Sequence, residues 1–296
     1  MATAAQWWHG ARPRTLPAAI APVAVGTGVA AYVNSFDAVR ALLALVVALS
    51  FQVAVNFAND YSDGIRGTDD QRVGPMRLTA SGAATPRTVK SAAFLFFGTG
   101  AVAGLVLVLL TSEWWLLLIG LLSILAAWYY TGGKSPYGYR GLGEVSVFLF
   151  FGVVATVGTA YVQTLTFDAL AWTAAVGVGA LACALLVVNN LRDIPTDSES
   201  GKRTLAVRLG DRRTRALYVI LVVTALVVLV VISVTWTEWA LIALIAFIPA
   251  VPPVGAVVGG AKGPALIEVL VATGRTQLLF GLLLGLGLAL GNGTIG

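Results

Sequence analysis

Nine apolar stretches, most of them close to twenty residues long, are separated along the chain by short polar punctuation. They lie near 16–33, 39–59, 88–110, 114–130, 143–163, 169–191, 214–235, 239–258 and 275–291. A helix rising about 1.5 Å per residue needs about 20 such residues to cross a hydrocarbon core. The pattern therefore predicts an all-α fold: a polytopic membrane bundle of nine transmembrane helices, forming one domain over residues 1–296. Composition agrees, with 58% hydrophobic and 11% charged residues, which excludes the soluble globular classes. Cys183 is the one cysteine, so no internal disulfide forms. The opening "MATAAQWWHGARPRTLP" places two arginines and two prolines before the first apolar run, with no small-residue cleavage site after it, and does not read as a signal peptide.

Charge gives the bundle a direction. Of the 19 Lys and Arg residues, all but Arg40 fall on the side that holds the amino terminus. The positive-inside rule makes that side cytoplasmic, and an odd number of spans leaves the carboxyl terminus external. External connections such as "TSEW" and "TWTEW" are a few residues long, whereas the cytoplasmic connections 60–87 and 192–213 are long and hold most of the acids. Long loops on a rigid scaffold are where functional residues concentrate.

The acids are patterned. At 100° per residue, Asn56, Asn59, Asp60 and Asp63 occupy an arc of about 100° on one helical face. Asn189, Asn190, Asp193 and Asp197 do the same, provided helix continues through Pro195. Each stripe closes an apolar span, the second and the sixth, which suggests two similar four-helix halves and a ninth helix. Carboxylates one turn apart repel unless a cation intervenes. Oxygen donors without His or Cys suit Mg²⁺, which takes its remaining ligands from water and substrate phosphate. Acids and bases beside an apolar bundle describe a site for a Mg²⁺-bridged diphosphate carried on a lipid.

Several stretches carry a resemblance. Asn59-Asp60-x-x-Asp63, Asp193-x-x-x-Asp197 and Tyr130-x-x-x-Lys134 resemble the UbiA superfamily of intramembrane aromatic prenyltransferases. Within it, "ARPRTLPAAIAPVAVGTG", "GPMRLTASG", "PYGYRGLGEVSVFLFFG" and "NNLRDIPTDSESGKRTLAVRLG" look like the 1,4-dihydroxy-2-naphthoate polyprenyltransferases of menaquinone synthesis. The resemblance implies a multi-pass enzyme of the bacterial cytoplasmic membrane with two Mg²⁺ ions bridging the diphosphate. Asn59, Asp60 and Asp63 would hold one ion, Asp193 and Asp197 the other, while Lys134 and Tyr130 would reach the diphosphate. Arg72, Arg77, Arg140 and Lys202 are further substrate-binding candidates by charge and placement, beside Asn56, Asn189 and Asn190. Many relatives carry another acid four residues after the second acid of the first motif. Here Gly67 stands there, with Asp69 and Asp70 just beyond.

The implied substrates are a polyprenyl diphosphate and 1,4-dihydroxy-2-naphthoate, the products demethylmenaquinol, CO₂ and diphosphate. The allylic cation formed on ionisation requires a dry site, with Tyr61, Tyr129, Phe148, Phe150 and Phe151 as aromatic candidates to steady it. Arg140 is the first candidate for the acceptor carboxylate. Another acceptor, such as 4-hydroxybenzoate, is the alternative within the family. A transporter is the alternative outside it, disfavoured because Asp37, Glu113, Asp168 and Glu238 fall in external loops and no acid lies mid-span. No nucleic-acid partner is expected, and an oligomer is compatible with the sequence.

Overall fold

The computed structural model describes residues 2–67 and 76–292. It is all-helical, with no strand among the described residues. Six helices are long and apolar enough to cross a membrane: α3 (Ala38–Arg66), α4 (Pro86–Thr111), the compound helix Gly143–Thr164, α8 (Ala169–Glu199), α9 (Leu205–Thr235) and α11 (Ala265–Leu290). The compound helix is α6 (Gly143–Val147), a π-helical turn Phe148–Val154 and α7 (Ala155–Thr164). Two bent pairs raise the number of candidate spans to eight. One joins α1 (Ala4–Gly10) and the turn Pro13–Thr15 to α2 (Pro17–Tyr32) at 50°; the other joins the 3₁₀ segment Glu238–Phe247 to α10 (Val251–Val258) at 51°. The stretch expected near 114–130 forms α5 (Leu116–Thr131), an apolar helix of 16 residues and so shorter than a standard span. The stretch expected at 239–258 is bent because Pro252 and Pro253 lack the amide hydrogens that would continue the ladder.

The acid stripes lie on helix, not in loops. Asp37 caps the start of α3 by accepting from the Arg40 amide at 3.0 Å, and the helix runs unbroken to Arg66. It stops at Gly67, whose φ of 69° supplies the left-handed cap that ends many helices. The position where relatives carry a further acid is therefore the one that turns the chain out of α3. Asp168 caps α8, which continues through Pro195 to Glu199. The 3.6-residue period thus extends through both motifs.

α8 is the central stave: 78% of its apolar window is buried, against 28% for α3. It packs chiefly on α9, while α3 packs on α4 and α2 on α11. The last pair crosses backbone to backbone, since a methyl group on Gly28 would meet the Gly285 Cα at 2.5 Å. Such small-residue contacts hold helices together where lipid removes the hydrophobic drive. The π turn approaches α8 just as closely, a methyl on Gly152 falling 2.6 Å from the Gly179 Cα. π turns recur at functional sites, and this one carries two aromatic residues into the central cavity.

Candidate active site

The bundle encloses a cavity of about 610 Å³. Its walls divide by chemistry. Asn56, Asn59, Asp63, Arg77, Tyr139, Asn189, Asn190, Asp193, Asp197 and Lys202 line one part. Ala44, Val47, Phe51, Val108, Phe150 and Phe151 line another, and the apolar wall continues to Leu105, Leu117 and Leu121, whose side chains are exposed on the outer face of the bundle. A polar head with an apolar body open to the flank matches a charged group on a long hydrocarbon tail.

Asp63 is the hub of the α3 stripe. Tyr139 donates its hydroxyl to Asp63 Oδ1, Lys202 Nζ stands 3.7 Å from the same oxygen, and Arg77 Nη2 lies 3.9 Å from Oδ2. The Lys202 ammonium also sits 4.7 Å over the Tyr139 ring, and the Arg66 guanidinium 5.5 Å from it. The Arg203 amide donates to the Tyr139 carbonyl at 2.9 Å, fastening the turn 137–140 to the loop after α8. Asn59 Oδ1 accepts from Thr131 Oγ1 at 2.8 Å, and Arg66 donates to the Thr131 and Gly133 carbonyls, which pins the end of α3 to the end of α5. Asn56 turns the other way, donating to the Ala11 carbonyl and to Thr15 Oγ1 at 2.9 Å each.

Asp60 does not line the cavity. It is 1% exposed, and its two carboxylate oxygens accept from the backbone amides of Leu78 and Thr79 at 2.8 and 2.9 Å. It therefore moors the segment that carries Arg77 against α3. Gly64 permits that approach: a methyl there would strike the Thr79 side chain at 2.5 Å.

The α8 stripe has restraints within its own helix. Arg192 grips Asp193 through Nε and Nη2 at 2.7 and 2.8 Å, and Nη2 also donates to Asn189 Oδ1 at 3.0 Å. Asn190 Nδ2 donates to Glu144 Oε1 at 3.0 Å. The Lys202 amide donates to the Asp197 carbonyl at 2.8 Å, closing the turn that brings the Lys202 side chain back to the cavity.

The other expected site residues divide. Tyr130 lines the cavity, edge-on to Tyr137 with ring centroids 5.6 Å apart. Lys134 and Arg140 are exposed and do not line it. In the tight turn Tyr137–Arg140 successive residues point about 120° apart, so Tyr139 facing inward leaves Arg140 outward. Arg72, Asp69 and Asp70 lie outside the described residues. Of the aromatic candidates, Phe150 and Phe151 line the cavity, while Tyr61 stacks on Trp128, Phe148 packs against Gly179 and Tyr129 faces outward. Tyr139, Arg192, Glu144 and Arg12 were not chosen from sequence. Arg192 carried a readable signal, adjacency to Asp193; Tyr139 had none, because its partner is 76 residues away.

The profile of the UbiA prenyltransferase family matches residues 19–258. The chain belongs to this family. It is 59% identical over 218 residues to the 1,4-dihydroxy-2-naphthoate octaprenyltransferase of Mycobacterium tuberculosis, covering 74% of each chain. Identity to the enzyme of the same name from Escherichia coli is 41% over 222 residues, covering 73% of this chain and 72% of that one. The UbiA fold is seen directly in solved structures. A UbiA homolog from Archaeoglobus fulgidus bound to GPP and Mg²⁺ superposes with a TM-score of 0.67 at 15% identity, over 96% of this chain and 99% of that one. A UbiA homolog from Aeropyrum pernix gives 0.69 at 14% identity, over 90% and 96%.

Proposed function

We propose that this UbiA-family protein transfers a polyprenyl group from an allylic polyprenyl diphosphate to 1,4-dihydroxy-2-naphthoate, releasing CO₂ and diphosphate and yielding demethylmenaquinol. High identity to enzymes of that name supports the choice of acceptor. The observation that carries the reaction class is the cavity, with two acid stripes at its polar part and an apolar wall reaching the flank of the bundle.

The donor set fits Mg²⁺. Around the polar part the side chains offer carboxylate and amide oxygens, and among the described residues no three of His, Cys, Asp and Glu form a preassembled metal cluster. Sites of this kind complete their coordination with substrate phosphate. Asn59, Asp63, Asp193 and Asp197, which line the cavity, would hold two ions, while Asp60, expected from sequence as a further ligand, is turned to the Leu78 and Thr79 amides and would fix the end of α3 that carries Asp63. When bound, Mg²⁺ neutralises charge on the diphosphate and eases its departure.

The chain's own groups do the rest. Lys202, Arg77 and Tyr139 already surround Asp63 and would turn to the diphosphate oxygens as these enter, adding charge-assisted hydrogen bonds to the leaving group. Tyr130 lines the same region and supplies a further hydroxyl. The apolar walls exclude water, which would otherwise capture the allylic cation. Phe150 and Phe151 line the cavity and would steady that cation, an attraction of about 0.5–2 kcal/mol where a ring face meets it. The prenyl tail lies along the apolar wall and leaves beside Leu105, Leu117 and Leu121.

The molecule would work as a nine-span domain, its fourth span the short α5, with the amino terminus and polar site on the cytoplasmic side and the carboxyl terminus outside. The asymmetry of Lys and Arg supports this orientation. The test is an assay of membranes containing the protein, with Mg²⁺, a radiolabelled polyprenyl diphosphate and a panel of aromatic acids. Labelled product with 1,4-dihydroxy-2-naphthoate and release of CO₂ are expected. Product with 4-hydroxybenzoate alone would move the acceptor, and product with neither would overturn the reading.

A further inference from the structure

The turn between α1 and α2 carries a feature that the diphosphate site does not use. Arg12 lines the cavity, and its Nη2 is buried with no hydrogen-bond partner among the described residues. Among the described residues the other cations on the cavity wall are Arg77 and Lys202, which stand beside Asp63. Arg12 has no carboxylate within ion-pair distance among the described residues. A buried guanidinium nitrogen without an acceptor is costly, so an acceptor group entering the cavity beside it would be stabilised.

The backbone reinforces this. Arg12 adopts φ 54° and ψ 68°, a left-handed conformation uncommon for a residue other than glycine, and it precedes Pro13, which favours extended backbone at the position before it. Strain of this kind persists only where surrounding contacts enforce it. Here they do. Thr15 Oγ1 donates to the Arg12 carbonyl at 2.9 Å and accepts from Gln52 Nε2 and Asn56 Nδ2, while Asn56 Nδ2 also donates to the Ala11 carbonyl. Gln52 and Asn56 precede Asp63 on α3 by about three and two turns. The strained turn is thus tied to α3 at Asn56, the first residue of the acid stripe, and at Gln52 one turn before it, about two to three turns from Asp63.

We infer that Arg12 binds the carboxylate of the aromatic acceptor, and that this contact selects aromatic acids over neutral phenols. The inference rests on the proposed function, since it needs an acceptor that carries a carboxylate. Guanidinium offers paired donors in a plane that matches a carboxylate, and a cation already unpaired needs no partner displaced before it binds. The position of the turn places the acceptor ring beside the allylic end of the donor, with its acid group held away from Asp63.

The test is equilibrium binding to detergent-solubilised protein, followed by tryptophan fluorescence in the presence of Mg²⁺ and inorganic diphosphate. The ligands are 1-hydroxy-2-naphthoate and 1-naphthol, which differ by the carboxylate. The wild type should prefer the acid by about 30-fold, the range of a hydrogen-bonded charge pair. In Arg12→Gln the preference should collapse, with the affinity for naphthol and for diphosphate unchanged. Arg12→Lys keeps the charge and the fold while losing the planar pair, and should weaken the acid about fivefold and leave naphthol alone. Retention of the full preference in both variants overturns the inference. Loss of diphosphate affinity in place of the acid preference overturns it too and assigns Arg12 to the leaving group. A wild type that binds neither naphthalene would bring down the aromatic-acceptor reading itself, and the inference with it.

Discussion

The two acid stripes are near twins as helical wheels, yet different contacts hold their members in place. Each sets four Asn or Asp residues within an arc of about 100° at the end of an apolar helix. On α3 the stripe is held from far along the chain: Asp60 by the amides of Leu78 and Thr79, Asn59 by Thr131, Asp63 by Tyr139 and Lys202. On α8 Arg192 grips Asp193 and Asn189 from within the helix, and Glu144 reaches Asn190 from α6. Equal patterns therefore carry unequal duties. The α3 stripe joins the segment at 76–79, the end of α5 and two polar turns, while the α8 stripe rides on the most enclosed helix of the bundle.

The most severe way to break both stripes at once is to remove the metal. Excess EDTA should abolish turnover in the labelled-donor assay and added Mg²⁺ should restore it; full activity in EDTA would refute the role given to the acids. Next come the carboxylates that line the cavity. Asp63→Asn and Asp193→Asn should each lower kcat by roughly 10³-fold, the scale of losing one preorganised electrostatic contact, with the melting temperature little changed. Asp37→Asn is the control, because asparagine caps a helix as well as aspartate does and the residue lies at the far end of α3 from the stripe. Equal behaviour of all three variants would place the chemistry elsewhere.

Asp60 sharpens the contrast, since its carboxylate works in the fold, one turn from the Asp63 that lines the cavity. Asp60→Ala leaves the buried Leu78 amide and the part-buried Thr79 amide without acceptors and should destabilise the protein by about 2–4 kcal/mol. Arg192→Ala, which strips the local restraint on Asp193, should lower activity less than Asp193→Asn does. Thermal unfolding in detergent beside kcat for both variants would decide whether the stripes differ as described. An Asp60→Ala protein as stable as the wild type would remove the distinction.

The smallest expected effect lies away from the acids. Gly158 lines the cavity, and a methyl group there would meet no atom within 4 Å. Gly158→Leu should therefore fold normally while filling part of the apolar wall. Its kcat/KM should drop about tenfold for a long polyprenyl diphosphate and much less for geranyl diphosphate, the scale set by displacing a methylene or two. Uniform loss across chain lengths would mean that Gly158 faces something other than the tail.

The apolar stretches and both stripes were legible because helical periodicity and membrane thickness are local rules. So was the oxygen-only character of the stripe side chains, which follows from residue type alone. Local rules also gave the continuation of α3 and α8 into their motifs, once Gly67 is read as a cap and Pro195 as tolerated near a helix end. The bend of residues 239–258 could have been read from Pro252 and Pro253; the shortness of α5, at 16 residues, became plain only with its boundaries.

What the tertiary structure alone decided is which polar group faces which. Lys134 and Arg140 had charge and proximity in sequence, yet both are exposed, and it is Tyr139, one position before Arg140, that reaches Asp63. Arg12 looked like one topology signal among many until the turn at 11–15 folded onto Gln52 and Asn56. The reason is physical. Periodicity fixes the face of a residue on its own helix, whereas the partner across a cavity depends on turns and crossings made by residues tens of positions away. The sequence by itself determined the apolar helices and the two stripes of oxygen donors; the packing of those helices determined which carboxylate builds the wall, which one moors it, and which cation is left open to a substrate.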